Sequence, residues 1–200
     1  MCHNADLVLR PAELPPLPLA EVWRHLARRV GKITGVVITG GEPTLHAGLA
    51  DFLREVRARG FAVKLDTNGY APDVLAGLFD LGLLDYVAMD VKAPPDKYAS
   101  LTGLAAVDVN RIQRSLHLIR ESGIPYELRT TVVPGLLDAD DIEALAQWIA
   151  EAERYALQQF RGGATLDPAL SAATPYSVDA LRAMADRARL WLPQVTVRGV

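Results

Sequence analysis

Val36-Val37-Ile38-Thr39-Gly40-Gly41-Glu42-Pro43-Thr44 joins a short β-branched run to two adjacent glycines, a carboxylate and a proline. β-branched residues suit an extended chain. Because the run does not alternate, it is expected to be a strand covered on both faces, as in a parallel sheet. Upstream, Leu19 to Val30 sets Val22, Leu26 and Val30 at helical spacing, with Gly31 and Gly35 bracketing the turn into the strand. Downstream, His46 to Arg59 repeats Leu49, Phe52, Leu53 and Val56, and Gly60 is placed to end that helix. The glycine pair therefore lies between a strand and a helix.

The same cycle recurs along the chain. Strands are expected at 61–65, 86–91, 126–133, 156–160 and 195–198, and helices at 72–81, 110–121, 140–153 and 177–191. Strands alternating with helices imply βαβ units and a parallel sheet. No repeat, low-complexity segment or linker interrupts them. The expectation is one α/β domain over residues 1–200, a partial (β/α)6-type open barrel.

Composition narrows the function. Half of the 200 residues are apolar, enough for one sizeable core. A net charge of −3 gives no reason to expect nucleic acid or an anionic membrane as partner. No run of eighteen apolar residues suggests a membrane span. Met1-Cys2-His3-Asn4-Ala5-Asp6 has neither the basic region nor the apolar stretch of a signal peptide, so the cytoplasm is expected. One cysteine excludes an internal disulfide. Taken alone, that thiol reads as a small buried hydrophobe or an incidental group.

In parallel α/β folds ligands gather at the C-terminal ends of strands. The least ordinary residues of this chain fall there. They are Gly40-Gly41-Glu42, then Asp66-Thr67-Asn68-Gly69, then Asp90-Val91-Lys92, then Arg129 through Pro134-Gly135, then Gln158 to Gly163. Each has a plain alternative. The glycine pair suits a tight turn, Asn68-Gly69 a turn pair, Asp90 and Lys92 a surface ion pair, and Arg129 a structural arginine. On one shared rim they favour a small-molecule site for a ligand with charged ends and hydrogen-bonding edges. Gly40 and Gly41 let backbone approach that ligand, and Glu42 offers a carboxylate suited to an ammonium group.

These residues resemble a family. Cys2-His3-Asn4, Thr-Gly-Gly-Glu-Pro at 39–43, Asp-Thr-Asn-Gly at 66–69 and Asp-Val-Lys at 90–92 are similar to the radical S-adenosylmethionine (SAM) enzymes that activate glycyl-radical enzymes. Pyruvate formate-lyase activase and anaerobic ribonucleoside-triphosphate reductase activase are such enzymes. Arg129 through Gly135 and Leu157 through Arg161 resemble the reductase-activating branch. The resemblance covers the whole chain in order.

It implies a [4Fe–4S] cluster held by three cysteines in Cys-x3-Cys-x2-Cys, soft anionic ligands suited to iron, with Cys2 as the third. It implies SAM bound by Gly40, Gly41 and Glu42 at its amino group. Asp66, Asn68, Asp90 and Lys92 would lie around its methionine and ribose parts, and Arg129 on its carboxylate side. Asp66, Thr67 and Asp90 become candidates for a monovalent cation. The implied activity forms a 5′-deoxyadenosyl radical that takes hydrogen from a glycine of a partner, class III ribonucleotide reductase by the branch motifs. A flavodoxin- or ferredoxin-like protein would donate the electron. Asp and Lys serve as binding groups there, and no catalytic acid or base is assigned.

One departure stands out. The chain has one cysteine where the family has three, and the strand that precedes the cysteine loop in the family is missing. The expected reading is an N-terminally incomplete radical SAM domain, inactive as a 200-residue chain. Two alternatives stay open. One is a non-catalytic SAM-binding or scaffold remnant of the barrel. The other is a phosphate-binding α/β barrel using the glycines at 162–163 as a nest.

Overall fold

A computed structural model describes Leu7, residues 9–163, Thr165 and residues 167–200. Its sheet holds β1 (Gly35–Ile38), β2 (Ala62–Thr67), β3 (Tyr86–Asp90), β4 (Tyr126–Val132), β5 (Tyr155–Gln159) and β6 (Val195–Arg198). Every neighbouring pair is parallel, and spatial order follows chain order from β1 to β6. Around it run α1 (Leu19–Ala27), α2 (Leu49–Ala58), α3 (Pro72–Asp80), α4 (Tyr98–Thr102), α5 (Val109–Glu121), α6 (Ala139–Trp148) and α7 (Val178–Ala188). Right-handed crossovers between sequential strands put all connecting helices on one side of the sheet. This is the α/β open-barrel arrangement expected from the strand–helix rhythm.

Strand sequence explains the two faces. Successive side chains alternate sides. On the helix side, Val63, Leu65, Val87, Met89, Leu128, Val132 and Leu157 join one apolar cluster with Leu53, Leu75, Ile112, Leu116, Ile142 and Leu181. Each such side chain contributes about 1.5–3 kcal/mol by leaving water. On the other side stand Lys64 and Asp66 of β2, Ala88 and Asp90 of β3, Glu127, Arg129 and Thr131 of β4, Ala156 and Gln158 of β5, and Arg198 of β6, matched by register. Among the described residues no connecting helix between strands covers that face. Val37, opposite Lys64 on β1, is 52 % exposed. The expectation that this strand is covered on both faces therefore fails, because the crossovers pack on one side only.

Several element ends also differ from expectation, each for a local reason. α1 stops at Ala27 instead of Val30, and the turn that follows reaches Gly31 at φ +73°. α2 starts at Leu49 instead of His46, because Pro43–Leu45 forms a separate 3-10 turn capped by the Glu42 side chain. α6 is fixed at its start by a capping box between Asp138 and Asp141 and ends at Trp148, short of Glu153. The short α4 was not expected. β2 runs past Leu65 to Thr67, which makes Asp66 and Thr67 strand residues on opposite faces.

Gly69 locks the loop after β2. Its φ is +74°, and a Cβ there would stand 2.1 Å from Met89 Cε. Its carbonyl accepts a 2.6 Å hydrogen bond from the buried Ser115 hydroxyl on α5. Gly69→Ala is expected to cost about 2–4 kcal/mol through left-handed strain and overpacking. Urea unfolding checks this, and an unchanged midpoint would contradict the packing of this loop.

Candidate functional site

Arg129 organises the open face. It sits opposite Asp90 in the β3–β4 register, and its Nε donates to Asp90 Oδ1 at 2.9 Å. Its Nη1 reaches past β3 to donate to Asp66 Oδ2 on β2 at 2.8 Å. The β3 residue opposite Asp66 is Ala88, whose methyl leaves room for the guanidinium to cross. Lys92 Nζ completes the group, donating to Asp90 Oδ2 at 2.8 Å. The Lys92 backbone N–H donates to the Tyr98 hydroxyl at 3.2 Å, which fixes the turn after β3.

Burial works against ionisation of Asp90, but Lys92 and Arg129 outweigh it and hold the carboxyl below the usual range. Burial likewise disfavours charge on Arg129, and Asp90 and Asp66 outweigh it to keep the guanidinium protonated. Burial pushes the Tyr98 hydroxyl up to about 12. It is neutral at ordinary pH and serves as a fixed acceptor. One polar atom on this face lacks a hydrogen bond. Asp66 Oδ1 is buried without a hydrogen-bond partner among the described residues, although Lys64 Nζ stands 3.4 Å away.

A second group ties the loops after β1 and β2 together. The Glu42 carboxylate accepts from the Thr44 N–H (3.1 Å), the Thr44 hydroxyl (2.6 Å), the Thr67 hydroxyl (2.8 Å) and the Asn68 N–H (2.7 Å). Asn68 Oδ1 turns back to accept from the Tyr70 N–H at 2.9 Å. Before Glu42, Gly40 has φ +140°, and a Cβ on Gly40 or Gly41 would meet nothing within 4 Å. A side chain at either position would enter open space.

Farther along the same face, Arg198 of β6 donates through both Nη atoms to Glu127 of β4, at 3.2 and 2.7 Å. It crosses β5 where Ala156 stands, and Lys64 Nζ approaches Glu127 Oε1 from β2 at 3.5 Å. Burial opposes charge on Glu127, but Arg198 and Lys64 outweigh it and keep its carboxyl below the usual range. Thr131, Gln158, Gln159, Arg161, Arg198 and Gly199 line a cleft of about 230 Å³ at the ends of β4 to β6. The whole face presents both signs of charge and amide and hydroxyl groups. It suits a zwitterionic ligand with hydrogen-bonding edges.

The match to the model of the Radical SAM superfamily covers residues 1–149. The chain belongs to the radical SAM superfamily. Within it, the chain is 33 % identical over 203 residues to the "Putative glycyl-radical enzyme activating enzyme MJ1227" of Methanocaldococcus jannaschii, covering 100 % of this chain and 83 % of that protein. Its fold is similar to that of a domain of pyruvate-formate lyase-activating enzyme from Bacteroides vulgatus, with a TM-score of 0.65 and 18 % identity over 84 % of this chain and 100 % of that one. Streptococcus suis SuiB bound to S-adenosylmethionine has the same TM-score, 0.65, at 16 % identity over 93 % of this chain and 43 % of that one.

Membership of the radical SAM superfamily implies SAM and a [4Fe–4S] cluster, and the residues present fit the two unequally. The paired charges of Asp66, Asp90, Lys92 and Arg129, next to a loop of two glycines without side chains, suit SAM, which carries an ammonium, a carboxylate, a sulfonium and ribose hydroxyls. The cluster does not fit in the same way. The sequence holds one cysteine, Cys2, which lies outside the described residues, and three thiolates are needed. Among the described residues no group of three or more His, Cys, Asp or Glu is placed to hold a metal ion.

The sequence-based site residues divide into the two groups. Asp66, Asp90, Lys92 and Arg129 form the ion network, and Glu42, Asn68 and Thr67 join the two loops beside Gly40 and Gly41. Sequence reasoning missed Lys64, Glu127, Arg198 and Tyr98. The period-2 pattern in Lys64-Leu65-Asp66 and Glu127-Leu128-Arg129 carried the signal for the first two.

Because Asp90 is held below its ordinary value, its pairs stabilise the fold above the unfolded carboxylate pKa of about 3.9. That contribution is lost as pH falls through the lower folded value. Asp90→Asn is therefore expected to lower the melting temperature at pH 7, with the gap to the parent closing below about pH 4. Thermal unfolding across pH 7 to 3 checks it, and a gap independent of pH would contradict the charge pairing.

Proposed function

We propose that the open face of this radical SAM chain binds SAM, and that the protein serves as an activating enzyme for a class III anaerobic ribonucleotide reductase. The observation that carries the reading is the ion network of Asp66, Asp90, Lys92 and Arg129. Similarity along this whole chain to the "Putative glycyl-radical enzyme activating enzyme MJ1227" supports it. Arg129 through Gly135 and Leu157 through Arg161 support the reductase branch. With a cluster and an electron from a flavodoxin- or ferredoxin-like protein, SAM supplies these enzymes with a carbon radical that takes hydrogen from a glycine of the partner.

The chain's own residues bind and orient. Gly40 and Gly41 admit the ligand to their backbone. Asp66 and Asp90 draw its positive groups, and Lys92 and Arg129 its carboxylate. Asn68 borders the ribose side. None of them moves a proton, since hydrogen-atom transfer requires no general acid or base. A monovalent cation between Asp66 and Asp90 would compete with Arg129, and the Thr67 hydroxyl is turned to Glu42. Residues 1–200 form an N-terminally incomplete radical SAM domain that works in the cytoplasm. Among the described residues no helix is long and apolar enough to cross a membrane.

The cysteine count favours a second reading for the chain by itself, a SAM-binding scaffold without turnover. Anaerobic reconstitution with iron and sulfide separates the two. The 200-residue chain is expected to form no stoichiometric [4Fe–4S] chromophore. The same chain with two more cysteines ahead of Cys2, in a Cys-x3-Cys-x2-Cys frame, is expected to form one and to release 5′-deoxyadenosine from SAM under reduction. Failure of that extended protein would favour the scaffold, and a cluster on the parent chain would overturn the thiolate argument.

A further inference from the structure

Glu42 follows the glycine pair, where an acidic side chain invites pairing with the ligand's ammonium. Its surroundings point elsewhere. Four donors from three residues already converge on the carboxylate: Thr44 through its N–H and hydroxyl, Thr67 through its hydroxyl, and Asn68 through its N–H. An ionised carboxylate offers about four lone-pair sites. Three of the four donors fall on Oε1, where an ammonium would displace one of them and leave a partly buried N–H or hydroxyl unpaired, the costly outcome for a polar group; Oε2 accepts from the Asn68 N–H.

The bonds continue beyond Glu42. The Thr67 hydroxyl that donates to Glu42 also accepts from the Gly69 N–H at 3.1 Å. The Gly69 carbonyl accepts from the buried Ser115 hydroxyl on α5 at 2.6 Å. One connected path thus runs from the loop after β1, through the loop after β2, into a helix of the core. The two loops lie 25 residues apart in sequence, and Glu42 with Thr67 and Asn68 joins them side by side.

We infer that Glu42 is a positioning residue: its carboxylate sets the spacing between the Gly40-Gly41 backbone and the Asp66–Asn68 strand end, and it does not itself contact the ligand. The inference rests on the SAM-binding reading of the face, and its test has one arm that needs no ligand.

Glu42→Gln keeps size but turns one acceptor oxygen into a donor, opposing either the Asn68 N–H or the threonine donors. Thr67→Val removes one strut partner and leaves Glu42 charged. In the free 200-residue chain, Glu42→Gln should speed amide exchange at Asn68 by roughly tenfold or more, while core strand amides keep their protection. The second arm titrates each variant with S-adenosylhomocysteine, which carries the amino and carboxylate groups, and with 5′-methylthioadenosine, which lacks both. A strut predicts that both variants weaken both ligands by similar factors, and that the double variant is little worse than Glu42→Gln. Unchanged Asn68 exchange in Glu42→Gln overturns the inference. So does a loss confined to S-adenosylhomocysteine with Thr67→Val silent, the signature of direct ammonium contact. If neither compound binds the parent chain, the SAM-binding reading and the ligand half of the inference both fall, and exchange alone decides whether the strut exists.

Discussion

One guanidinium holds the polar face together. Arg129 donates to Asp90 beside it and to Asp66 two strands away, and Ala88 between them is small enough to let it pass. Without those bonds, two carboxylates on adjacent strands would stand half-buried with Lys64 and Lys92 as their neighbours. Arg198 repeats the device over Ala156 to reach Glu127. Such pairs recover little net stability after desolvation. Their value lies in fixed geometry, since each carboxylate is held in one orientation by a bidentate or bridging partner.

That face exists because of strand order. Sequential parallel strands with one hand of crossover carry all connecting helices on one side, so none of the connecting helices between the strands covers the other. A closed eight-stranded barrel fills its interior with apolar side chains. Here the strands β2 to β6 place charges, amides and alanines inside instead. The apolar cluster beneath, from Leu53 to Leu181, carries the stability. The polar side is thereby released for binding, consistent with a family whose cofactor does the difficult chemistry.

Much of this was readable from residues in a row. All six strands and most helices follow from apolar spacing and glycine punctuation, and the rim residues stood out at the strand ends. The alternation in Lys64-Leu65-Asp66 was equally visible, but the unbroken Val36-Val37-Ile38 run argued for a sheet covered on both sides. What could not be read were meetings across the sheet. Glu42 looked like a ligand for an ammonium because nothing local shows that Thr67 and Asn68 bond to it from the next loop. Ala88 and Ala156 carry no signal as single small residues, and only the register reveals that arginines pass over them. α4 is too short to have a periodicity.

The central claim is that the Arg129-centred face is the ligand site. The most direct test is a backbone amide NMR titration of the chain with SAM. The account predicts shifts confined to Gly40, Gly41, Asp66, Asn68, Asp90, Lys92, Arg129 and their neighbours, with the amides of α1 and the outer face of α6 unmoved. Saturating SAM that shifts none of these rim amides, or a binding footprint on the helix-covered side, would contradict it.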